Sequence, residues 1–310
     1  MKRVAIIATL FLTRLAFADQ PLDRPEAFEV DRDRPPPGQA ELGFDAGGSI
    51  MSTESGRDGM WAGAWAVSAQ ISYLDEPFRL YTRQVEVFPV EHRETLALGG
   101  AYAVTPTLLV DARMPFIHQV GNRFVGLGDN TKLDHFVLGD LALGGRIRLA
   151  TREHAQLFAR GELTLPTGDD HDFAGEARYT AAWMLIARFT LPTGFVIAAT
   201  AGVRFRPREV TIANRLLGDE LMGAVGITYE LPGLRGLWCP TNHVRATAEL
   251  LGVLGNDVAG QRGPSPVETR VGMVSEIRTW LAVAGRVGMG LDDEIGSPRF
   301  RGLVEVVYRH

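Results

Sequence analysis

The chain has 310 residues, 45% of them hydrophobic and 22% charged, with a formal net charge of −5. That apolar content excludes a disordered protein. The mild acidity argues against a nucleic-acid partner, which would call for a basic face. A single cysteine, Cys239, excludes an intrachain disulfide and a multi-cysteine metal site.

The N-terminal residues read as an export signal. Lys2 and Arg3 form a basic start, Val4 to Leu12 a short apolar core, and Ala16-Phe17-Ala18 a small-residue cleavage site. Residues 1–18 are therefore expected to be removed, with Arg14 as an interruption. Residues 19–40 are charged and proline-rich, as in Asp31 to Pro37, and read as an extended periplasmic arm, with a plug in a barrel lumen as a hypothesis. No later run of apolar residues is long enough for a spanning helix.

From residue 41 to 310 the pattern has period two. In 61–73, Trp61, Gly63, Trp65, Val67, Ala69, Ile71 and Tyr73 share one face, and small or polar residues share the other. The same alternation recurs in 141–149, 157–165, 244–252, 267–277, 281–291 and 300–308. Segments of about nine to eleven residues suit a tilted strand crossing a bilayer, whereas strands of soluble sandwiches are nearer five or six. Aromatics near strand ends (Trp61, Tyr73, Tyr102, Phe116, Tyr179, Phe189, Phe195, Tyr229, Tyr308) fit interfacial girdles.

Strands are expected near 41–50, 61–73, 78–88, 94–104, 107–117, 139–149, 155–165, 177–190, 195–205, 219–231, 243–253, 267–277, 281–290 and 300–309. The fold class is all-β, a single antiparallel transmembrane barrel of 12 to 14 strands. Fourteen is the direct count, and 12 remain if the two weakest, 41–50 and 78–88, are dropped. Short connections alternate with long ones, which places the long loops outside and the short turns in the periplasm.

Charges on the polar faces must point inward, because an Arg or Lys facing the bilayer midplane costs roughly 2–4 kcal/mol. The lumen-lining residues are therefore expected to be Asp111, Arg113, Asp140, Arg146, Arg148, Arg160, Glu162, Arg204, Glu230, Arg245, Glu249, Glu268, Arg270, Glu276, Arg286, Arg301 and Glu305. They either brace the wall as cross-strand ion pairs or line a polar conduit that screens solutes.

Other motifs are weighed and set aside. Asp169 to Asp172 and Asp292-Asp293-Glu294 are acidic loop clusters without calcium-loop spacing. His171 beside Asp170 and Asp172, or His135 beside Asp134, would be the general base of an outer-membrane hydrolase, but no nucleophile motif accompanies either. No catalytic residue, cofactor or metal is assigned. The two LPTG runs, 165–168 and 191–194, end strands.

The runs EAFEVDRDRPPPGQAELGFDAGGS (26–49), SYLDEPFRLY (72–81), GGAYAVTPTLLVDARMPF (99–116), GLGDN (126–130), LGDLALGGRIRL (138–149), GELTLPTGDD (161–170) and GDELMGAVGITYEL (218–231) resemble barrel domains of myxobacterial outer membrane protein A-like proteins. The LPTGD segment is also similar to the outer-membrane transporter family linked by name to phenol degradation. The resemblance implies an outer-membrane location, a transporter or porin-like function, and partners limited to membrane lipid, the barrel-assembly machinery and small solutes. Members often carry a C-terminal peptidoglycan-binding domain. Here the last strand runs to within one residue of His310, where a terminal aromatic is usual, so cell-wall anchoring is not expected. The alternative functions are a structural barrel without transport and the hydrolase.

Overall fold

The computed structural model describes residues 62–310, apart from 82–85, 125–128, 134–135, 169–173, 177, 208–209, 213–214, 232–242, 256–264, 279 and 293–295. Twelve long strands form the wall. They are β1 (Trp65–Tyr81), β2 (Glu86–Ala103), β3 (Leu108–Phe124), β6 (Leu141–Arg152), β7 (Ala155–Leu165), β8 (Thr180–Thr190), β9 (Phe195–Phe205), β12 (Glu220–Glu230), β13 (His243–Gly255), β14 (Val267–Arg278), β15 (Leu281–Gly290) and β16 (Phe300–Arg309). Four short strands lie in the connections: β4 (Asp129–Lys132), β5 (Phe136–Leu138), β10 (Val210–Ile212) and β11 (Arg215–Leu217).

Each long strand pairs antiparallel with the next, and β16 pairs back onto β1, from Ala66 opposite Arg309 to Asp75 opposite Phe300. The sheet closes into a ring of 12 strands. Closure leaves the long strands no free edge. His310 extends the seam: its N–H donates to Trp65 O at 2.9 Å, and Trp65 N–H donates to His310 O at 3.1 Å.

The direct count of 14 is corrected to 12. The segment 41–50 lies outside the described residues. The segment 78–88 is not a strand of its own; it is the far end of β1 and the near end of β2. The alternation is interrupted there for a physical reason. The β1–β2 register slips between Asp75 and Phe78, and Glu76 adopts φ of 46° just before Pro77. A bulge interrupts the regular pairing there, and the original register returns by Leu80 opposite Val87. One strand then reads as two.

The pleat sorts the side chains. Val67, Ile71, Leu98, Leu143, Trp183, Leu185, Val225, Val271, Val287 and Val304 are exposed on the outer surface, while their sequence neighbours are buried or partly buried. Aromatics bound this surface at both ends. At the short-turn end, Trp65, Trp280 and Tyr308 cluster, with ring centroids 5.6 and 5.7 Å from Tyr308, and Phe195 stacks on Tyr229 at 4.4 Å. At the other end stand Tyr73, Phe116, Tyr179, Phe205 and Phe300, none of them buried. Phe300 and Tyr308 are eight positions apart on β16. At about 3.3 Å per residue that is about 26 Å along the strand. A tilt of ~40° reduces it to a belt of roughly 20 Å, close to the roughly 25 Å apolar band of bacterial barrels.

Candidate functional site

The candidate site is the inner wall. Alternation puts one charged residue on it every second position in several strands, and register brings opposite signs together. Asp111 on β3 and Arg160 on β7 form a two-pronged pair, 2.7 and 2.8 Å, across the intervening β6. Arg160 also donates to Glu162 at 3.0 Å. The crossing is possible because β6 carries Gly144 beneath it; a Cβ there would lie 2.5 Å from both Arg160 Nη2 and Asp111 Oδ1. Bidentate guanidinium–carboxylate geometry is the strongest ordinary ion pair.

The same construction recurs on the other side of the barrel. Glu268 on β14 accepts from Arg270 and, across β15, from Arg301 on β16, with Nε–Oε1 distances of 2.7 Å to each. Gly288 on β15 lies between Arg270 and Arg301 in the register, and a Cβ there would come within 3.0 Å of Glu268 Oε1. In both places a glycine on the middle strand lets two side chains meet over it.

Other charges fall into smaller groups. Arg286 lies 3.9 Å from Glu249 and 3.6 Å from Glu305. Arg245 pairs with Glu276, and Glu230 stands opposite it in the β12–β13 register. Glu220 binds Arg206 at 2.6 Å and Arg204 at 3.4 Å. Burial alone would lower the Arg206 pKa, but Glu220 and Glu176 raise it above the ordinary guanidinium value.

Several inward arginines have neutral groups among their partners. Arg93 donates to the Gln119 amide oxygen at 3.1 and 2.7 Å. Arg146 lies over the Phe158 ring, 5.4 Å from its centroid. Arg148 donates to the Pro106 carbonyl.

Asp140 is set apart from the sixteen other residues singled out in the sequence. It precedes β6 and does not belong to the ladder. Its carboxylate accepts N–H bonds from Gly168 at 2.9 Å and Glu176 at 2.6 Å, pinning the β7–β8 connection. Burial pushes its pKa up against the pull of those two N–H groups. The pinned segment Ala174–Glu176 closes one side of a cavity of about 60 Å³, which Arg93, Arg113, Glu162 and Arg204 also line.

Parts of the inner wall are apolar. Ala182, Met184, Met222, Ala224, Leu251 and Val253 form one buried cluster, and Val274, Ala282, Ala284 and Val307 another. Sequence reasoning did not single out Arg93, Arg188, Glu220 and Arg309. All four continue an inward alternation: Arg188, Glu220 and Arg309 lie within the expected strands 177–190, 219–231 and 300–309, and Arg93 lies one residue before the strand expected at 94–104. His135, His171, the 169–172 cluster, the 19–40 arm and Cys239 lie outside the described residues.

Counted on the ring strands, the described inner wall carries Arg93, Arg113, Arg146, Arg148, Arg160, Arg188, Arg204, Arg245, Arg270, Arg286, Arg301 and Arg309. Against them stand Asp111, Glu162, Glu220, Glu230, Glu249, Glu268, Glu276 and Glu305. That is twelve cations to eight anions, and every one of the cations is arginine.

No protein-family model matches the chain, and no curated protein matches it in sequence. Among solved structures, the translocator domain of autotransporter NalP from Neisseria meningitidis aligns with TM-score 0.47 at 13% identity, over 84% of this chain and 92% of that one. The KdgM porin aligns with TM-score 0.46 at 9% identity, over 78% and 98%. Neither superposition is tight enough to carry an argument. An outer membrane channel from Pseudomonas putida F1 aligns with TM-score 0.56 at 16% identity, over 81% of this chain and 97% of that one, and with it the chain shares the antiparallel barrel fold.

Proposed function

We propose that this protein is an outer-membrane channel through which small polar solutes pass. The observation that carries the reading is the sorting of the wall: a closed ring with an aromatic-bounded apolar exterior and a charged interior. In water that exterior would be an apolar patch far larger than a soluble monomer tolerates. In a bilayer both faces are satisfied. A signal at 1–18 would deliver the chain across the inner membrane. Two likenesses point the same way: the fold shared with the Pseudomonas putida channel, and the runs, such as 161–170, that resemble the myxobacterial and phenol-degradation-linked barrels.

The buried side chains of the inner wall, Glu268 and Gln119 at 0% exposure among them, favour a second reading, a structural barrel that conducts nothing. Reconstitution of the purified protein in liposomes decides between the two. Solute uptake or single-channel conductance supports the channel, and a silent, correctly folded barrel supports the structural wall.

A further inference from the structure

We propose that the cavity bounded by Asp140, Glu162 and the segment Ala174–Glu176 is a solute subsite of the channel, and that it takes small zwitterions, molecules with a cationic group at one end and a carboxylate or sulfonate at the other. The inference rests on the channel reading and names the solute class.

The cavity lies where the interior has room. On the β13–β16 side the inner side chains close over one another: Leu251, Glu268 and Val307 are 0% exposed and Arg301 2%. The cavity of about 60 Å³ is lined instead by residues of β2, β3 and β6 to β9. One water needs roughly 10–15 Å³ on this measure, so the space suits about four to six waters, or one solute of similarly few heavy atoms.

The lining carries both signs in equal number. Arg93, Arg113 and Arg204 supply guanidinium groups, and Asp140, Glu162 and Glu176 supply carboxylates. Glu162 lies in the field of both Arg113 and Arg204. Groups outside the cavity hold most of these side chains in place. Gln119 accepts from Arg93 at 2.7 Å, Arg160 donates to Glu162 at 3.0 Å and Arg206 to Glu176 at 3.0 Å. Arg204 reaches Glu220 at 3.4 Å, and Gly168 N–H donates to Asp140 at 2.9 Å. The charges are thus positioned before a solute arrives.

Formal charge in the lining sums to zero, and this decides the class. A solute of one sign displaces water from wall groups of its own sign and gives them no partner in return. A zwitterion offers a partner to each: its acid group to a guanidinium fork, its cationic group to a carboxylate.

The test is solute uptake by proteoliposomes of the purified protein, in symmetric potassium chloride with valinomycin holding the membrane potential at zero. The probes are glycine, methanesulfonate and tetramethylammonium, which are similar in size, with erythritol as the uncharged control. Glycine is expected to enter faster than erythritol and on the order of tenfold faster than either ion, the discrimination that one unmatched polar group gives. Glu162→Gln leaves Arg160 its bonds to Asp111 and should speed methanesulfonate relative to glycine. Arg204→Gln leaves Glu220 its bond to Arg206 and should speed tetramethylammonium instead. Glu162→Asp and Arg204→Lys should keep the wild-type order. Retained heat-modifiable gel mobility identifies variants that still fold. Erythritol or an ion entering as fast as glycine, current without glycine uptake, or an order that a folded Gln variant leaves unchanged overturns the inference and leaves the channel intact. A wild-type barrel that passes neither current nor any of the four solutes overturns the channel reading, and this inference with it.

Discussion

Glu268 and Arg301 stand 33 positions apart in sequence, yet Glu268 Oε1 lies 2.7 Å from Arg301 Nε, over the glycine of the strand between them. The Glu268 side chain is 0% exposed and that of Arg301 2%. Removing one partner of a buried pair costs about 3–5 kcal/mol, because the remaining charge stays out of water. Glu268→Gln should therefore lower the urea midpoint of the lipid-embedded barrel by an amount of that order. Glu268→Gln combined with Arg301→Gln should recover part of the loss. Equal stability of Glu268→Gln and wild type would show that the pair is screened by lumen water.

Gly144 tests the crossing on the opposite wall. A side chain there displaces the tips of Arg160 and Asp111. Both tips can swing aside, but only by giving up their pair. Gly144→Val is expected to cost about 1–3 kcal/mol, the range for losing a charged hydrogen bond. A double-mutant cycle checks the mechanism: in an Arg160→Gln background the Gly144→Val penalty should shrink. An undiminished penalty would place the strain in the backbone.

Leu185 sits in the middle of β8 and is 54% exposed. On a water-facing strand Leu185→Arg would be nearly neutral. In hydrocarbon it should cost roughly 2–4 kcal/mol. Folding free energies in lipid vesicles supply the measurement. A neutral Leu185→Arg would count against membrane burial of this face.

The bulge in β1 gives a backbone test. Glu76 holds a left-handed conformation, φ 46°, with its carboxylate 3.4 Å from the exposed Arg299. The ion pair contributes about 0–1 kcal/mol, and the conformation costs a residue with a Cβ about 1–2 kcal/mol. Glu76→Gly should be neutral or mildly stabilising, whereas Glu76→Val should destabilise by at least about 1 kcal/mol. Thermal unfolding of the two variants reads the difference, and identical behaviour would remove the case for strain.

Much of this architecture is legible in single residues. Leu141 to Leu149 and Leu157 to Leu165 alternate because each strand separates two unlike environments, and a one-residue slip would reverse every side chain. The same alternation carries Arg160, Arg245 and Glu305 to the inner face. Pro77 hides the continuity of β1, because a proline beside a bulge reads in sequence as the end of a strand. Pairings such as Asp111 with Arg160 are invisible in sequence, since they depend on which strands become neighbours and on a glycine lying between them. Asp140 shows a further limit. Its alternation with Ala142 places it beside Arg93 and Glu162 on the same interior cavity, but the groups that hold it, Gly168 and Glu176, come from a connection about thirty residues away and cannot be read from its own strand.

The inward cations are arginines throughout, and the only lysines of the chain are Lys2 and Lys132, neither of them on the ring strands. Guanidinium groups keep their proton at any pH a cell meets. The positive side of the interior field would thus be a constant of the molecule, beyond the reach of lysine acetylation, and acidity could act on the interior only through its carboxylates. Any adjustment of the positive side would have to come from movement of the chain or from a bound counter-ion.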